Sequence, residues 1–288
     1  MPRPIRIFTD STADLSPELI EKYNLTVLPL YITLGDRTYR DMVEITASDI
    51  FKHYEEYKEL PKTAAVSVQD YMEAFSAAVE QGFDVIHFTI SSEFSACYQN
   101  ACFAAAEVGN VWVVDSRNLS TGIAQLVLMA AELAARGHSA PLIADYVAKS
   151  VGRVDTSFVL SSLEFLHKGG RCSGVAALGA NLLQLKPCIE VVDGKMTVGK
   201  KYRGNFEKCC EEYLADRLKD RDDIDTHRIF FTWTAVDPKL LHSLEKKIRS
   251  YQPFKEVLVT EAGSTISGHC GPCCLGILYL HKRKDVKK

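Results

Sequence analysis

DVIHFTISSEFSACYQNACFAAAEVGNVWVVD, residues 84–115, carries the pattern that decides the fold. Its first seven residues form a short apolar run rich in β-branched and aromatic side chains, which reads as a buried strand. A serine-rich loop follows, then a helical pattern over 95–108, then a second apolar run at 111–115. The same alternation extends both ways. Upstream, 5–9 reads as a strand and Asp10-Ser-Thr-Ala-Asp14 as a turn. Ser16-Pro17 is an N-cap with proline at the first helical position. Residues 27–34 read as one strand turning at Gly35-Asp36 into Thr38-Tyr39, and 48–60 as a helix. Ser67 with Asp70 is a capping box for a helix running to Gln81. Downstream, 120–136 is a long helix closed by Gly137, and 140–151 is another.

Strands alternating with helices imply a mostly parallel sheet covered on both faces. Ligands of such sheets bind in loops beyond the carboxyl ends of the strands. Three loops follow from this: after Thr9, after Ile90 and after Asp115.

The second half reads differently. A strand is expected over 156–161, a helical turn over 163–167, a break at Gly169-Gly170 and a helix over 175–183. Asp193-Gly194 between the runs 188–192 and 195–201 is a type I′ hairpin signal. Helices follow at 205–219 and 238–249, the latter capped by Asp237, and strands at 228–233, 256–261 and 275–280. The glycine-rich stretch 263–274 reads as a loop. The expectation is therefore an α/β chain of two domains, 1–155 built on a mostly parallel sheet and 156–288 organised differently.

Composition sets outer bounds. The chain has 288 residues, 47% hydrophobic and 25% charged, which excludes disorder, collagen and coiled coil. No apolar run is long enough to span a membrane, and the first residues lack a secretory pattern. The net charge of −3 gives no global basic field for nucleic acid. The basic cluster at 281–288 reads as a solvated terminus. Nine cysteines, an odd number, point to reduced thiols and a cytoplasmic setting.

Four constellations could carry chemistry. Ser95 opens a helix, where free N–H groups and a cap hydroxyl suit a carboxylate or phosphate; a plain N-cap serine satisfies the same pattern. Thr63, in a loop entering a helix, could offer a hydroxyl or be an ordinary turn residue. His269, in the polar glycine-rich loop, is a ligand or acid–base candidate beside a structural role. Arg171, after two glycines, suits a phosphate or an acidic partner, and Arg203 is a weaker version. Cys270-Gly-Pro-Cys273 has the spacing of thiol–disulfide oxidoreductases, but it precedes a strand near the end of the chain. No Walker A pattern or metalloprotease helix is present, so catalysis has little positive support.

Together these motifs resemble the DegV family of bacterial fatty-acid-binding proteins. The resemblance rests on Thr9-Asp-Ser-Thr-Ala-Asp14, Ile90-Ser-Ser-x-x-Ser95-x-x-Tyr98-Gln99, Val114-Asp-Ser116, Lys168-Gly-Gly-Arg171, Lys186-Pro187, Arg203-Gly204 and Gly268-His269-x-Gly271-Pro272, in order. It implies a Rossmann-like parallel sheet in the first domain, a mixed or antiparallel sheet in the second, and a long-chain fatty acid such as palmitate between the domains, its carboxylate held by Thr63, Ser95 and His269. It further implies a non-catalytic lipid carrier with no cofactor or metal. Its partners would be the fatty acid, a fatty acid kinase contacted through Arg171 and Arg203, and transiently a membrane surface, with no nucleic acid. The chain departs from the family at Ala64-Ala65-Val66, where Ser-Gln-Pro is usual, at Ala96-Cys97, where Gly-Thr is usual, and at Cys270 and Cys273, where threonine and glycine are usual; the three ligand positions are kept. The helices at 123–133 and 175–183 are candidates to line an acyl tunnel or to be plain core. The alternatives are a thiol–disulfide oxidoreductase using Cys270 and Cys273, and an enzyme acting on a phosphorylated metabolite at Ser95.

Overall fold

The computed structural model describes residues 3–172 and 185–283. The strands of the first half are β1 (Ile5–Asp10), β2 (Thr26–Leu28), β3 (Tyr31–Leu34), β4 (Arg37–Arg40), β5 (Lys62–Ala64), β6 (Asp84–Thr89) and β7 (Val111–Asp115). Its helices are α1 (Pro17–Lys22), α2 (Ala47–Tyr57), α3 (Val68–Glu80), α4 (Cys97–Val108), α5 (Thr121–Ala135) and α6 (Ala140–Ala148). The second half adds β8 (Val154–Leu160), α7 (Glu164–Gly169), β9 (Leu185–Val192) and β10 (Lys195–Arg203). After these come α8 (Phe206–Leu218), β11 (Ile224–Thr234), α9 (Pro238–Tyr251), β12 (Glu256–Glu261), α10 (Ser264–Cys270) and β13 (Cys274–His281).

Three sheets result. The order β2-β1-β6-β7 is fully parallel, as the alternation requires. The order β10-β9-β8-β13-β11-β12 is mixed, antiparallel except for the pair β11–β12. A third, antiparallel sheet β4-β3-β5 was not expected. It exists because Pro29-Leu30 divides the run 27–34 into β2 and β3, which join different sheets. Proline has no N–H for a ladder, so the chain leaves the parallel sheet there.

Helix α5 explains how the two large sheets meet. Ten of its residues, Thr121 to Leu128 with Ala130 and Ala131, are buried, on all sides of the helix. A helix apolar all round must be enclosed. It packs on β1 and β6 of one sheet and on β8, β11 and β13 of the other. Its buried Gln125 donates to the carbonyls of Arg228 and Leu278 in the mixed sheet. Helices α3 and α4 cover the opposite face of the parallel sheet. Helix α8 covers the far face of the mixed one, with α9 packed beside it.

Local signals terminate the elements as expected. Ser67 and Asp70 form the reciprocal capping box of α3, and Thr46 with Asp49 does the same for α2. Asp193 and Gly194 both take positive φ, 50° and 79°, which the type I′ turn between β9 and β10 requires. The helix expected over 175–183 lies outside the described residues.

Candidate functional site

A cavity of about 440 Å³ opens at the carboxyl end of the parallel sheet. That volume lies in the range of small-molecule sites, roughly 300–1,000 Å³. Thr63, Ser95, His269 and Arg171 all line it. Leu30, Ile90, Phe94, Leu119, Leu166, Met196 and Ile266 supply most of the apolar wall. Arg203 does not line this cavity; it is exposed at the end of β10, so the structure does not bring it to the other candidates.

Thr63 sits in β5, paired with Ile32 of β3, and not in a loop. The small sheet therefore fixes its direction. Its Oγ1 lies 3.0 Å from Nε2 of His269, 206 residues away in sequence. His269 in turn is in the last turn of α10, where the sequence suggested a flexible loop. The reason is tertiary. Gly263, Ser264 and Thr265 donate their N–H groups to the buried carboxylates of Asp14 and Asp41, at 2.8, 3.0 and 3.2 Å. Those groups would otherwise be unpaired at a helix start.

Burial, with a smaller contribution from the Arg171 guanidinium, lowers the His269 pKa from 6.5 to about 4. The ring is therefore neutral near pH 7 and carries one N–H. Nδ1 is shielded from water and has no partner among the described residues, with Gly169 packed against it. Placing the proton on Nε2 satisfies the network, because a buried N–H without an acceptor costs more than an unused lone pair. Nε2–H then donates to Thr63 Oγ1, and the threonine hydroxyl proton is free to point into the cavity.

Ser95 precedes α4 by two residues; Ala96 occupies the cap position. Its Oγ accepts from the Cys97 N–H at 3.3 Å and lies 3.2 Å from Cys97 Sγ. Sulfur is a weak acceptor, so a carboxylate entering the cavity is the better partner for that hydroxyl proton. Arg171 is exposed, its Nη1 donating to the Gly169 carbonyl at 2.8 Å, so the polar groups reach toward solvent.

The other candidates fall elsewhere. Of the three loops beyond the strands, those after β6 and β7 supply cavity lining, through residues from Ile90 to Ala96 and through Leu119. The loop after β1 lies behind the wall and lines nothing. Helix α5 is core and not tunnel; Leu119, just before it, is the contributor. A small apolar pocket of about 30 Å³ shares Leu119, Ile266 and Cys270 with the main cavity and continues toward Phe158 and Leu278. Phe94 in its loop, Leu166 in the short α7 and Met196 in β10 were not singled out from sequence, since isolated apolar residues give no signal that separates a cavity wall from core.

The Cys270/Cys273 pair follows the C-terminal end of α10, where the helix dipole opposes a thiolate. Neighbouring Cys274 is fully buried and its thiol is pushed well above its ordinary value. Low-pKa thiol chemistry needs the reverse. Among the described residues no group of three or more His, Cys, Asp or Glu side chains could hold a metal ion, and no helix is long and apolar enough to cross a membrane.

Fold and cavity define an α/β protein of two domains, with a largely apolar cavity whose wall carries two hydroxyls, an imidazole and a guanidinium. The chain belongs to the DegV family: the family model, described as "Uncharacterised protein, DegV family", matches residues 4–282. A DegV domain-containing protein of Clostridium perfringens is 31% identical over 288 residues, covering 96% of this chain and 99% of its own. A DegV family protein of Thermus thermophilus, described for its fatty acid binding, is 33% identical with a TM-score of 0.88, covering 97% of this chain and 100% of its own. A stearic acid-binding protein of Eubacterium ventriosum is 27% identical with a TM-score of 0.84, covering 96% and 98%. Fatty acid binding is thus a property of proteins similar to this chain along nearly its full length.

Proposed function

We propose that this chain binds one long-chain fatty acid, with its carboxylate at Thr63, Ser95 and His269 and its tail against the apolar wall. The observation that carries the reading is the Thr63–His269 pair at 3.0 Å, set in a cavity otherwise lined largely by apolar side chains. A carboxylate withdrawn from water must be hydrogen-bonded, or its desolvation cost dominates. Two hydroxyls supply that demand with donors, and the neutral imidazole, donating from Nε2 to Thr63 Oγ1, leaves the threonine proton to the carboxylate. The tail supplies affinity: at about 0.8 kcal/mol per buried CH₂, a chain of roughly 16 carbons gains on the order of 10 kcal/mol before binding costs.

In this reading the protein is a carrier, and it presents the carboxylate to a fatty acid kinase for acyl-phosphate formation. The exposed guanidinium of Arg171, beside His269 in the cavity wall, supports presentation at the mouth. Arg203, away from the cavity, fits a contact with the kinase surface and not with the lipid.

The test is mass spectrometry of an organic extract of the purified protein, followed by affinity measurements on variants. A stoichiometric long-chain fatty acid is expected. Ser95→Ala and His269→Ala are each expected to weaken binding by about tenfold, the first by losing one hydrogen bond to a charged group and the second by freeing the Thr63 hydroxyl that the ring orients. Folded protein with an empty extract and no measurable affinity would overturn the reading. Arg203→Ala should leave lipid affinity unchanged and lower kinase-dependent phosphorylation; equal rates would remove the presentation role.

A further inference from the structure

We propose that Asp41 is a positioning residue for His269, acting through α10, and that it fixes the imidazole against Thr63. The inference rests on the fatty acid reading only where ligand affinity is measured. Asp41 is 1% exposed and does not line the cavity. One of its oxygens accepts the N–H groups of both Ser264 and Thr265, and the other accepts the Ser11 hydroxyl at 2.8 Å. Ser11 Oγ is itself held by the Leu30 N–H at 3.1 Å. Asp41 is thereby tied to the end of the parallel sheet, and α10 is tied to Asp41.

Helix α10 needs such an anchor. It has seven residues, Ser264-Thr-Ile-Ser-Gly-His-Cys270, with a glycine inside. A helix this short and this poor in good helix formers is not stable by itself. His269 lies five residues beyond Ser264, about 7 Å along the axis, so the first turn sets the ring's height and rotation. The rest of the surroundings limit but do not choose that position: Gly268 packs on Pro61, and Gly169 on the ring. Ser264 Oγ adds a bond to the Ile45 carbonyl at 2.9 Å, on the same segment as Asp41.

The test reads the ring directly. Among the described residues, Arg171 is beside the ring and Glu93 lines the same cavity; the Lys168–Glu164 pair is on α7, and Asp14 and Asp41 hold the far end of α10. In ligand-free protein, the NMR titration of His269 is expected near pH 4. In Asp41→Ala the loosened helix admits water to the ring, and the midpoint moves up toward 6.5. Loss of an anion alone would move it down, and a purely structural role would leave it in place; either result overturns the proposal. Asp41→Asn keeps an oxygen that both N–H groups can share, and is expected to restore the wild-type midpoint. The second readout is affinity for a fluorescent long-chain fatty acid. Asp41→Ala should weaken it about tenfold, and the double variant with His269→Ala should be no weaker than His269→Ala alone. Effects that multiply would overturn the proposal. A moved midpoint in protein that does not bind the probe would support the positioning role and remove the lipid reading. Should Asp41→Ala fail to fold, Asp41→Ser, whose hydroxyl cannot reach both N–H groups, is read in the same two assays with the same expectations.

Discussion

The loops after β1 and β6 leave the same end of the same sheet, from adjacent strands, yet only one faces the cavity. The loop after β6 carries Glu93, Phe94, Ser95 and Ala96 into the lining. The loop after β1, which is richer in polar groups, is wholly buried from Asp10 to Asp14. Apart from Thr12, whose buried hydroxyl has no partner among the described residues, its polar side chains are consumed by the protein itself. Asp10 accepts the Tyr71 hydroxyl at 2.6 Å and the Ile90 N–H at 3.2 Å, with the His87 ring 3.3 Å away. Ser11 serves Leu30 and Asp41, and Asp14 holds Gly263 and Ser120. A place at the carboxyl end of a parallel sheet is thus not enough to make a ligand loop. What packs on the loop decides: the mixed-sheet half covers the first one, whereas it meets the second through the β9–β10 turn at Ser91 and Glu93 and leaves Phe94, Ser95 and Ala96 to the cavity.

The comparison breaks most visibly at Asp10. Asp10→Ala leaves the Tyr71 hydroxyl and the Ile90 N–H buried without an acceptor, and should cost about 3 kcal/mol of stability in urea unfolding. Ser95→Ala, in the facing loop, should change stability by less than about 0.5 kcal/mol while weakening fatty acid binding. Equal destabilisation by the two would show that the loops are not divided into support and contact.

Asp14 sharpens the same division through pH. Its burial, with Asp41 nearby, raises its carboxyl from 3.8 to about 8 despite bonds from Ser120 and Gly263. The folded state therefore binds this proton more tightly than the unfolded chain does. Stability from this group is intact below pH 3.8 and is lost as pH rises from there through 8. Asp14→Asn removes that loss: one pH unit of the window is worth about 1.4 kcal/mol, so the variant should gain at least that at pH 9 and little at pH 4. A gain that is flat with pH would refute the assignment.

How much of this was legible follows from the range of the forces involved. The parallel sheet, its capped helices and the Asp193-Gly194 turn are written in local patterns, and they stand where those patterns put them. Thr63 was readable only as a turn residue, because β5 is three residues long and exposed on either side of Thr63. Its strand character comes from pairing with β3. Helix α10 was unreadable for a stronger reason. Its serines, threonine and glycine favour a loop, and the carboxylates that hold its first turn lie 223 and 249 residues away in sequence. The resemblance to DegV proteins named Thr63, Ser95 and His269 together; local spacing could not, since nothing in it joins residues 63 and 269.

The smallest effect concerns the back of the imidazole, where support and contact touch. Gly169 ends α7 with ordinary helical geometry, so alanine is conformationally welcome there and gains about 0.5–1 kcal/mol over glycine. A Cβ at this position would lie 2.5 Å from Nδ1 of His269, closer than atoms tolerate. The ring must shift, and α10 limits how far it can go. Gly169→Ala should therefore leave the melting temperature within a few degrees of wild type, because the two terms oppose each other. Affinity for a long-chain fatty acid should still fall several-fold, because the Thr63–His269 distance of 3.0 Å is no longer kept. A variant that melts like wild type and binds like wild type would mean that the imidazole position is not what the cavity selects on. The carboxylate would then rest on Thr63 and Ser95 alone.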